Sequence, residues 1–166
     1  FLLMTSGGGL TTLDTAIKFP VRLVESGPAG GAILATEIAR DCGIKDVLSF
    51  DMGGTTAKIC LIDNHIPQMT RTFEVARVYR NLKGSGLPVR IPAIEMVEIG
   101  AGGGSIAKVD NMSRITVGPE SAGAIPGPAC YGQNGSDATV TDADVVLGRI
   151  NPEGFAGGAV DLQPEM

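Results

Sequence analysis

The sequence is poor in aromatic residues, in histidine and in long apolar runs. Aromatic residues make up 4% of the 166 residues, and tryptophan is absent. No apolar run approaches the roughly 20 residues that a membrane-spanning helix needs, so we expect no membrane association. The single histidine, His65, excludes a multi-histidine metal cluster within the chain. Its place after Asn64 indicates a turn.

Cysteines are also few, and their spacing argues against folds stabilised by zinc or by disulfide bonds. Cys42, Cys60 and Cys130 are far apart and form no CxxC pair, so neither a zinc site nor a disulfide framework is indicated. We expect a reducing, cytoplasmic location. A nucleophilic Cys130 would need a neighbouring base or positive charge, and the local sequence offers none, which favours a structural role.

Positive charge is in deficit, because the formal net charge is −5 and no block of like charges occurs. This balance argues against a nucleic-acid surface. One locally basic stretch spans residues 71–90, and we interpret it as a solvated face. Its basic residues are Arg71, Arg77, Arg80, Lys83 and Arg90.

The length fits one domain with one core. The chain has no initiator methionine and ends at Glu165-Met166, so we expect residues 1–166 to be a single partial domain of a longer protein.

Glycine is abundant, with 24 residues gathered between apolar segments, where tight turns or close backbone approach require it. Hydrophobic spacing predicts a helix of about 14 residues that begins at Pro28 and ends before Gly43, and a second helix capped by Thr141 that runs to Ile150. It also predicts strands. The Gly- and Pro-rich segment 118–137, which has no sustained periodicity, is predicted to be a long ordered loop or a lid. The predicted strands are 47–51, 57–63, a region within 91–99, and a hairpin of 106–109 with 114–117.

The most specific local pattern is a strand that ends at Asp51, a turn, and a returning strand. Consecutive glycines let several backbone N–H groups point into one concavity that suits phosphate, and threonine hydroxyls add donors. The candidate phosphate-binding residues are therefore Gly53, Gly54, Thr55 and Thr56. Asp51 could hold hydrated Mg²⁺ or orient a water molecule. An ordinary hairpin with an aspartate at its mouth is the alternative.

Two further glycine clusters have the same two interpretations. Gly102, Gly103 and Gly104 lie in the segment 100–105, which either faces a nucleotide or substrate or is a structural turn. Residues 6–9 pose the same question. Asp142 and Asp144 are interpreted as first-turn helix residues that complement the helix dipole.

The order helix, strand, Asp-x-Gly-Gly-Thr turn, strand resembles the second phosphate loop of the actin, sugar kinase and heat-shock chaperone superfamily. That superfamily places a helix beginning with small residues before the hairpin, as residues 26–32 do here. The chain departs from the chaperone pattern because Gly27, rather than an acidic residue, precedes Pro28. Glu25 is displaced by two positions from the acidic residue of that pattern.

The longer blocks together resemble the hydantoinase A / 5-oxoprolinase family over nearly the whole chain. The blocks are Glu25-Ser26-Gly27-Pro28-Ala29-Gly30-Gly31, Phe50-Asp51-Met52-Gly53-Gly54-Thr55-Thr56-Ala57-Lys58, Glu98–Ala107, Val117–Ala124, Pro126–Gly132 and Thr139–Asp144. This resemblance implies an α/β, ribonuclease H-like fold of the actin-like ATPases, with a mixed sheet and flanking helices. It further implies a second Asp-x-Gly-Gly-Thr loop, which these residues do not contain.

The same resemblance implies ATP-dependent opening of a hydantoin or 5-oxoproline-type ring, with ATP and Mg²⁺ as cofactors. A B-type hydantoinase subunit or domain would be the partner, and an oligomer is expected. Two alternatives remain open. One is a subunit of an ATP-dependent ketone carboxylase, and the other is a non-enzymatic nucleotide-binding assembly module.

Overall fold

The computed structural model describes residues 1–76, 78 and 84–165. The chain divides into two compact units, which are described separately. Unit 1 comprises Phe1–Asp51 and Lys58–Glu98, and unit 2 comprises Met52–Ala57 and Ile99–Met166. Within the described ranges, no helix is long and apolar enough to cross a membrane.

Only the two ends of the basic stretch can be placed. Arg71 and Arg90 are exposed, as a solvated face requires. Arg77, Arg80 and Lys83 lie outside the described residues.

Within residues 1–76, 78 and 84–98, unit 1 contains two α-helices, α1 (Leu13–Lys18) and α2 (Ser26–Asp41), with a 3₁₀ turn at Pro20–Leu23 between them. The predicted long helix is confirmed in α2. It ends before Gly43, whose φ of +69° is the left-handed conformation in which glycine is favoured after a helix.

The strands up to residue 99 are short, apart from one central hairpin. They are β1 (Leu2–Met4), β2 (Leu10–Thr12), β3 (Val47–Met52), β4 (Ala57–Asp63), β5 (Ile66–Pro67), β6 (Met69–Thr70), β7 (Phe73–Val75), β8 (Leu87–Val89), β9 (Ala93–Ile94) and β10 (Val97–Ile99). The main sheet has the order β10-β4-β3, with β5 beside β4. The other strands pair as β1-β2, β6-β9 and β7-β8. The predicted strands 47–51 and 57–63 are confirmed, and the 91–99 region divides into β9 and β10.

The core of unit 1 lies between α2 and the strands. Ala29 and Ala32 of α2 are buried with Cys60, Ile62 and Ile94. Their small side chains let the helix approach the sheet closely, which removes the apolar side chains of β4 and β9 from water. This helix-on-sheet packing confirms the predicted α/β class.

Unit 2 is built on an antiparallel hairpin, β11 (Ser105–Val109) and β12 (Ile115–Ser121). A 3₁₀ turn at Ala129–Tyr131, a short helix α3 (Val140–Val146) and a second 3₁₀ segment at Pro152–Gly158 complete it. Cys130, Val145 and Leu162 form its buried cluster.

Three predicted boundaries in unit 2 are wrong. Helix α3 is capped by Thr139 rather than Thr141, and it ends at Val146 rather than Ile150. Part of the predicted 118–137 loop is strand, because β12 continues through the Gly118-Pro119 pair to Ser121, which pairs with Ser105 after a bulge.

Candidate functional site

The Gly53–Thr56 turn presents backbone donors to open space. The N–H of Gly53 closes the turn by donating to Thr56 O at 2.9 Å. Gly53, Gly54 and Thr55 are exposed, and a Cβ built on Gly54 would meet nothing within 4 Å. Within the described part of the chain, the N–H groups of Gly54 and Thr55 donate to no protein acceptor. The turn can therefore accept an anionic group without first breaking a hydrogen bond.

Asp51 precedes this turn as the last residue of unit 1. Its carboxylate is exposed, and among residues 1–76, 78 and 84–165 it has neither an ion pair nor a hydrogen bond. The same ranges contain no group of three or more His, Cys, Asp or Glu side chains that could hold a metal ion. A cation here would thus rely on Asp51, water and ligand oxygens, which is the coordination that Mg²⁺ usually takes at phosphates.

The loop 100–105 packs directly behind the turn, backbone against backbone. The N–H of Gly103 donates to Gly53 O at 2.9 Å, and the N–H of Gly104 donates to Gly54 O at 2.8 Å. A Cβ on Gly102 would lie 2.6 Å from Gly53 O and 2.6 Å from the nitrogen of Thr55. Residue 102 must therefore be glycine for the loop to reach this position.

The loop is in turn held by its own side-chain and helix contacts. The buried hydroxyl of Ser105 accepts the N–H of Gly102 at 2.9 Å, and Gly103 O accepts the N–H of Thr141 in α3 at 2.8 Å. The N–H groups of Gly102, Gly103 and Gly104 are thus all engaged within unit 2. This is a supporting role for the turn, and contact of these glycines with a nucleotide stays a prediction.

The glycine cluster at residues 6–9 is also engaged in packing. Ser6 is buried, and its hydroxyl donates to Val24 O at 2.5 Å. Gly8 has a φ of +78°, and a Cβ there would lie 2.7 Å from Cδ1 of Ile33 in α2. The loop after β1 is thus bonded to the segment before α2 through Ser6 and packs closely against α2 at Gly8.

The sequence motifs did not reveal that Glu25 and Lys58 form an ion pair in unit 1. Glu25 is the N-cap of α2, with a left-handed φ of 64°, and its side chain caps none of the helix N–H groups. Lys58 on β4 is the more buried partner. The signal available in the sequence was an acidic residue just before the glycine-rich helix start and a lysine two residues after the turn.

Asp142 organises the remainder of unit 2. Its carboxylate accepts the N–H of Cys130 at 2.8 Å, the N–H of Thr139 at 2.7 Å and the hydroxyl of Thr139 at 2.8 Å. Burial alone would raise its pKa, but the hydrogen bonds from Cys130 and Thr139 outweigh burial and lower the pKa of Asp142 below its ordinary value. The interpretation of Asp142 as a first-turn helix residue is confirmed by its capping box with Thr139.

Cys130 and His65 have structural surroundings. Burial and the adjacent Asp142 carboxylate raise the pKa of the Cys130 thiol to about 12, so the thiolate is scarce at neutral pH. His65 lies in the turn after Asn64, with a φ of 61°.

The chain is similar to proteins of one family. The Hydantoinase/oxoprolinase family model matches residues 1–166. The chain belongs to the hydantoinase/oxoprolinase family. The acetophenone carboxylase gamma subunit of Aromatoleum aromaticum is 37% identical over 98% of the chain and 21% of its own length. The caprolactamase subunit alpha of Pseudomonas jessenii is also 37% identical, over 95% of the chain and 21% of its own length.

A solved member of the hydantoinase/oxoprolinase family has the same fold. The nucleotide-free structure of acetone carboxylase, an ATP-dependent enzyme, superimposes with a TM-score of 0.72 at 30% identity, covering 99% of this chain and 22% of that one. The present chain spans a quarter or less of the length of these relatives, from 25% down to 9%.

Proposed function

We propose that the chain supplies the phosphate-binding turn of an ATP-dependent enzyme that opens a cyclic amide of the hydantoin or 5-oxoproline type. The observation that carries this proposal is the exposed Gly53–Thr56 turn, with two N–H groups that have no acceptor within the described chain. Family membership supports it, because relatives include a caprolactamase and a 5-oxoprolinase.

The residues present fit a nucleotide phosphate with Mg²⁺. The free N–H groups of Gly54 and Thr55 would bind phosphate oxygens, and the hydroxyls of Thr55 and Thr56 would add donors. Asp51 would hold hydrated Mg²⁺ or orient the attacking water. When bound, MgATP supplies a phosphoryl group that makes the amide oxygen a better leaving group and the ring carbon a better electrophile.

The loop 100–105 would hold the turn in its binding geometry. The N–H groups of Gly103 and Gly104 donate to Gly53 O and Gly54 O. These bonds fix the carbonyl groups of the turn toward the loop, so the free N–H groups of Gly54 and Thr55 would already be in position before a ligand binds. Such preorganised donors stabilise developing charge more than mobile ones. Gly102, Gly103 and Gly104 are proposed as cofactor-site residues in this supporting sense.

A ketone carboxylase is the second candidate function. It is favoured by the similarity to the acetophenone carboxylase gamma subunit and by the superposition on acetone carboxylase. The same phosphate turn would then serve activation of an enolate or of bicarbonate.

The proposed partner is a B-type hydantoinase subunit or domain within an oligomer. Three of the relatives with named activities are themselves subunits, namely a gamma subunit, a subunit alpha and a beta subunit. Activity assays should therefore include the protein together with whatever copurifies with it.

Analysis of the reaction products of the full-length protein tests the proposal. MgATP with hydantoin, 5-oxoproline or 2-pyrrolidinone should give ring-opened product in step with ADP and phosphate. Turnover only with a ketone and bicarbonate would replace the hydrolase by the carboxylase. Absence of ATP turnover with every substrate would overturn both candidates.

A further inference from the structure

Unit 2 contains a cleft of about 250 Å³ whose lining residues are not among the candidate site residues discussed above. Its walls are the start of β11, the end of β12 and the loop before α3. The lining includes Ile106, Ser121, Ala122, Asn134, Ser136 and Asp137. This volume is slightly below that of pockets for drug-sized ligands, which suits a compact molecule.

The cleft is held open by close backbone contacts. Gly135 and Gly127 both line it, and a Cβ on Gly135 would lie 2.3 Å from Gly127 O. Gly127 has a φ of +78°, a conformation that other residues rarely adopt. The segments that contain Gly127 and Gly135 can therefore approach this closely only with glycine at residue 135, and their contact fixes the shape of the cleft.

The lining chemistry points to a neutral amide. Asp137 offers only acceptors, Ser121 and Ser136 offer hydroxyls, and Asn134 offers both a donor and an acceptor. Ile106 and Ala122 provide an apolar surface. A small ring with one N–H, one C=O and an apolar edge would match the acceptors, the donors and the apolar surface of this lining. An anion would be repelled by the Asp137 carboxylate.

The charge of Asp137 is not neutralised by a direct partner. In the described ranges Asp137 forms no ion pair, and the nearby Lys108 pairs instead with Glu120. Electrostatic attraction from Asp137 contributes only weakly to the raised pKa of the Lys108 ammonium, after the dominant effect of Glu120.

The cleft also connects to the phosphate turn by two consecutive hydrogen bonds. The N–H of Ala122, in the cleft wall, donates to Gly104 O at 2.8 Å. The N–H of Gly104 donates to Gly54 O at 2.8 Å. A single residue, Gly104, thus contacts both the wall of the cleft and the turn.

We propose that this cleft binds the cyclic amide substrate and that Asp137 selects uncharged rings over rings that carry a carboxylate. The identity of the ligand class rests on the proposed hydrolase function, whereas the existence of the site rests on the cleft itself.

Calorimetric titration of the full-length protein with two matched probes tests this inference. The probes are 2-pyrrolidinone and 5-oxoproline, which share the five-membered lactam and differ by one carboxylate. Wild-type protein should bind 2-pyrrolidinone more tightly. Asp137→Asn should shift the ratio of the two dissociation constants by about fivefold or more toward 5-oxoproline, because it removes the repelling charge with little change in volume.

A second pair of variants tests the location. Ser136→Phe places an aromatic ring at the cleft and should weaken 2-pyrrolidinone binding about tenfold or more. Gln133→Phe is the matched control, since Gln133 is exposed in the same loop and does not line the cleft. It should bind as the wild type does, and thermal unfolding should show that both variants are folded.

Three results would overturn the cleft proposal: no lactam binding by the wild type, unchanged binding by folded Ser136→Phe, or an unchanged ratio in Asp137→Asn. Titration of the wild type with MgATP separates the two proposals. If lactams bind at the cleft and MgATP does not bind, the proposed ATP-dependent function fails and the cleft remains.

Discussion

The carboxylate of Glu25 pairs with the ammonium of Lys58, and Glu25 also stands in a left-handed conformation at the start of α2. A residue with a Cβ is strained there by about 1 kcal/mol or more. The residue that links the start of α2 to β4 is thus also a site of local backbone strain.

Replacing Glu25 should separate the two effects. Glu25→Ala loses the ion pair and keeps the strain, whereas Glu25→Gly loses the ion pair and relieves the strain. Glu25→Gly should therefore have a free energy of unfolding higher than that of Glu25→Ala by about 1 kcal/mol. Urea denaturation measures the difference, and equal stabilities would show that the left-handed conformation at residue 25 costs nothing.

Two glycine-to-alanine variants should distinguish the exposed side of the turn from its packed side. Gly54→Ala adds a methyl group that meets no protein atom within 4 Å, so the fold should be unaffected and weakened MgATP binding would report lost phosphate contact. Gly102→Ala places a Cβ 2.6 Å from backbone atoms of the turn and should lower the free energy of unfolding by about 1–3 kcal/mol or more. Calorimetry with MgATP and thermal unfolding are the two measurements. Normal MgATP affinity in Gly54→Ala would argue that the turn is an ordinary hairpin.

Asp51→Asn should remove most ATP turnover while the fold stays intact. The substitution deletes a charge that has no ion-pair partner within the described residues, so little stability depends on it. Loss of about two orders of magnitude or more in kcat is the expected scale for a positioned electrostatic group. Steady-state ADP release measures it, with circular dichroism as the control for folding. Near-normal turnover in the folded variant would remove Asp51 from the proposed site.

Asp142 should make the stability of the protein sensitive to acid. Its pKa is lowered in the folded state, so its contribution is present above the unfolded pKa of about 3.9 and is lost as the pH falls through the lower folded pKa. Asp142→Asn replaces one acceptor oxygen by an NH₂ group beside N–H donors and should cost about 2 kcal/mol at neutral pH. The gap in unfolding free energy between wild type and Asp142→Asn, followed from neutral to acidic pH, should narrow at low pH. A constant gap would contradict the carboxylate's role.

The exposed Cys42 and the buried Cys130 should react differently with a thiol reagent. Cys42 is exposed, whereas Cys130 is buried and has a pKa of about 12. At mildly alkaline pH, Cys42 should be modified rapidly and Cys130 only after addition of denaturant. Mass spectrometry of peptides from a time course identifies the modified cysteine. Comparable rates in the native protein would show that the 128–132 segment opens readily.

Local sequence was sufficient where one interaction decides the structure. The helix that begins near Pro28 and ends before Gly43, and the hairpin around Gly53-Gly54, follow from apolar spacing and glycine positions, and both are confirmed. The cap of α3 could not be settled this way. Thr139 is followed by Asp142, and Thr141 is followed by Asp144, so both threonines fit a capping box. Tertiary contacts decide between them, because Asp142 also accepts N–H groups of the 129–130 segment and the N–H of Thr141 donates to Gly103 O.

The candidate site shows the same division. Composition identified the turn and the loop 100–105 separately as glycine-rich and left open whether the loop faces a ligand. That the loop lies behind the turn depends on long-range backbone hydrogen bonds, which leave no local pattern in the sequence. The continuation of β12 to Ser121 was missed for a similar reason, since pairing with Ser105 overrides the turn tendency of Gly118-Pro119.

The contact between Gly102 and the turn also restricts how the chain can change during evolution. A side chain at residue 102 could be accommodated only if the backbone at Gly53 and Thr55 moved as well, because the turn occupies the space where a Cβ of residue 102 would lie. Substitutions in these two distant segments should therefore be strongly non-additive, and neither segment can drift alone without disturbing the other. Homologues that lose glycine at one position are expected to carry a remodelled turn at the other.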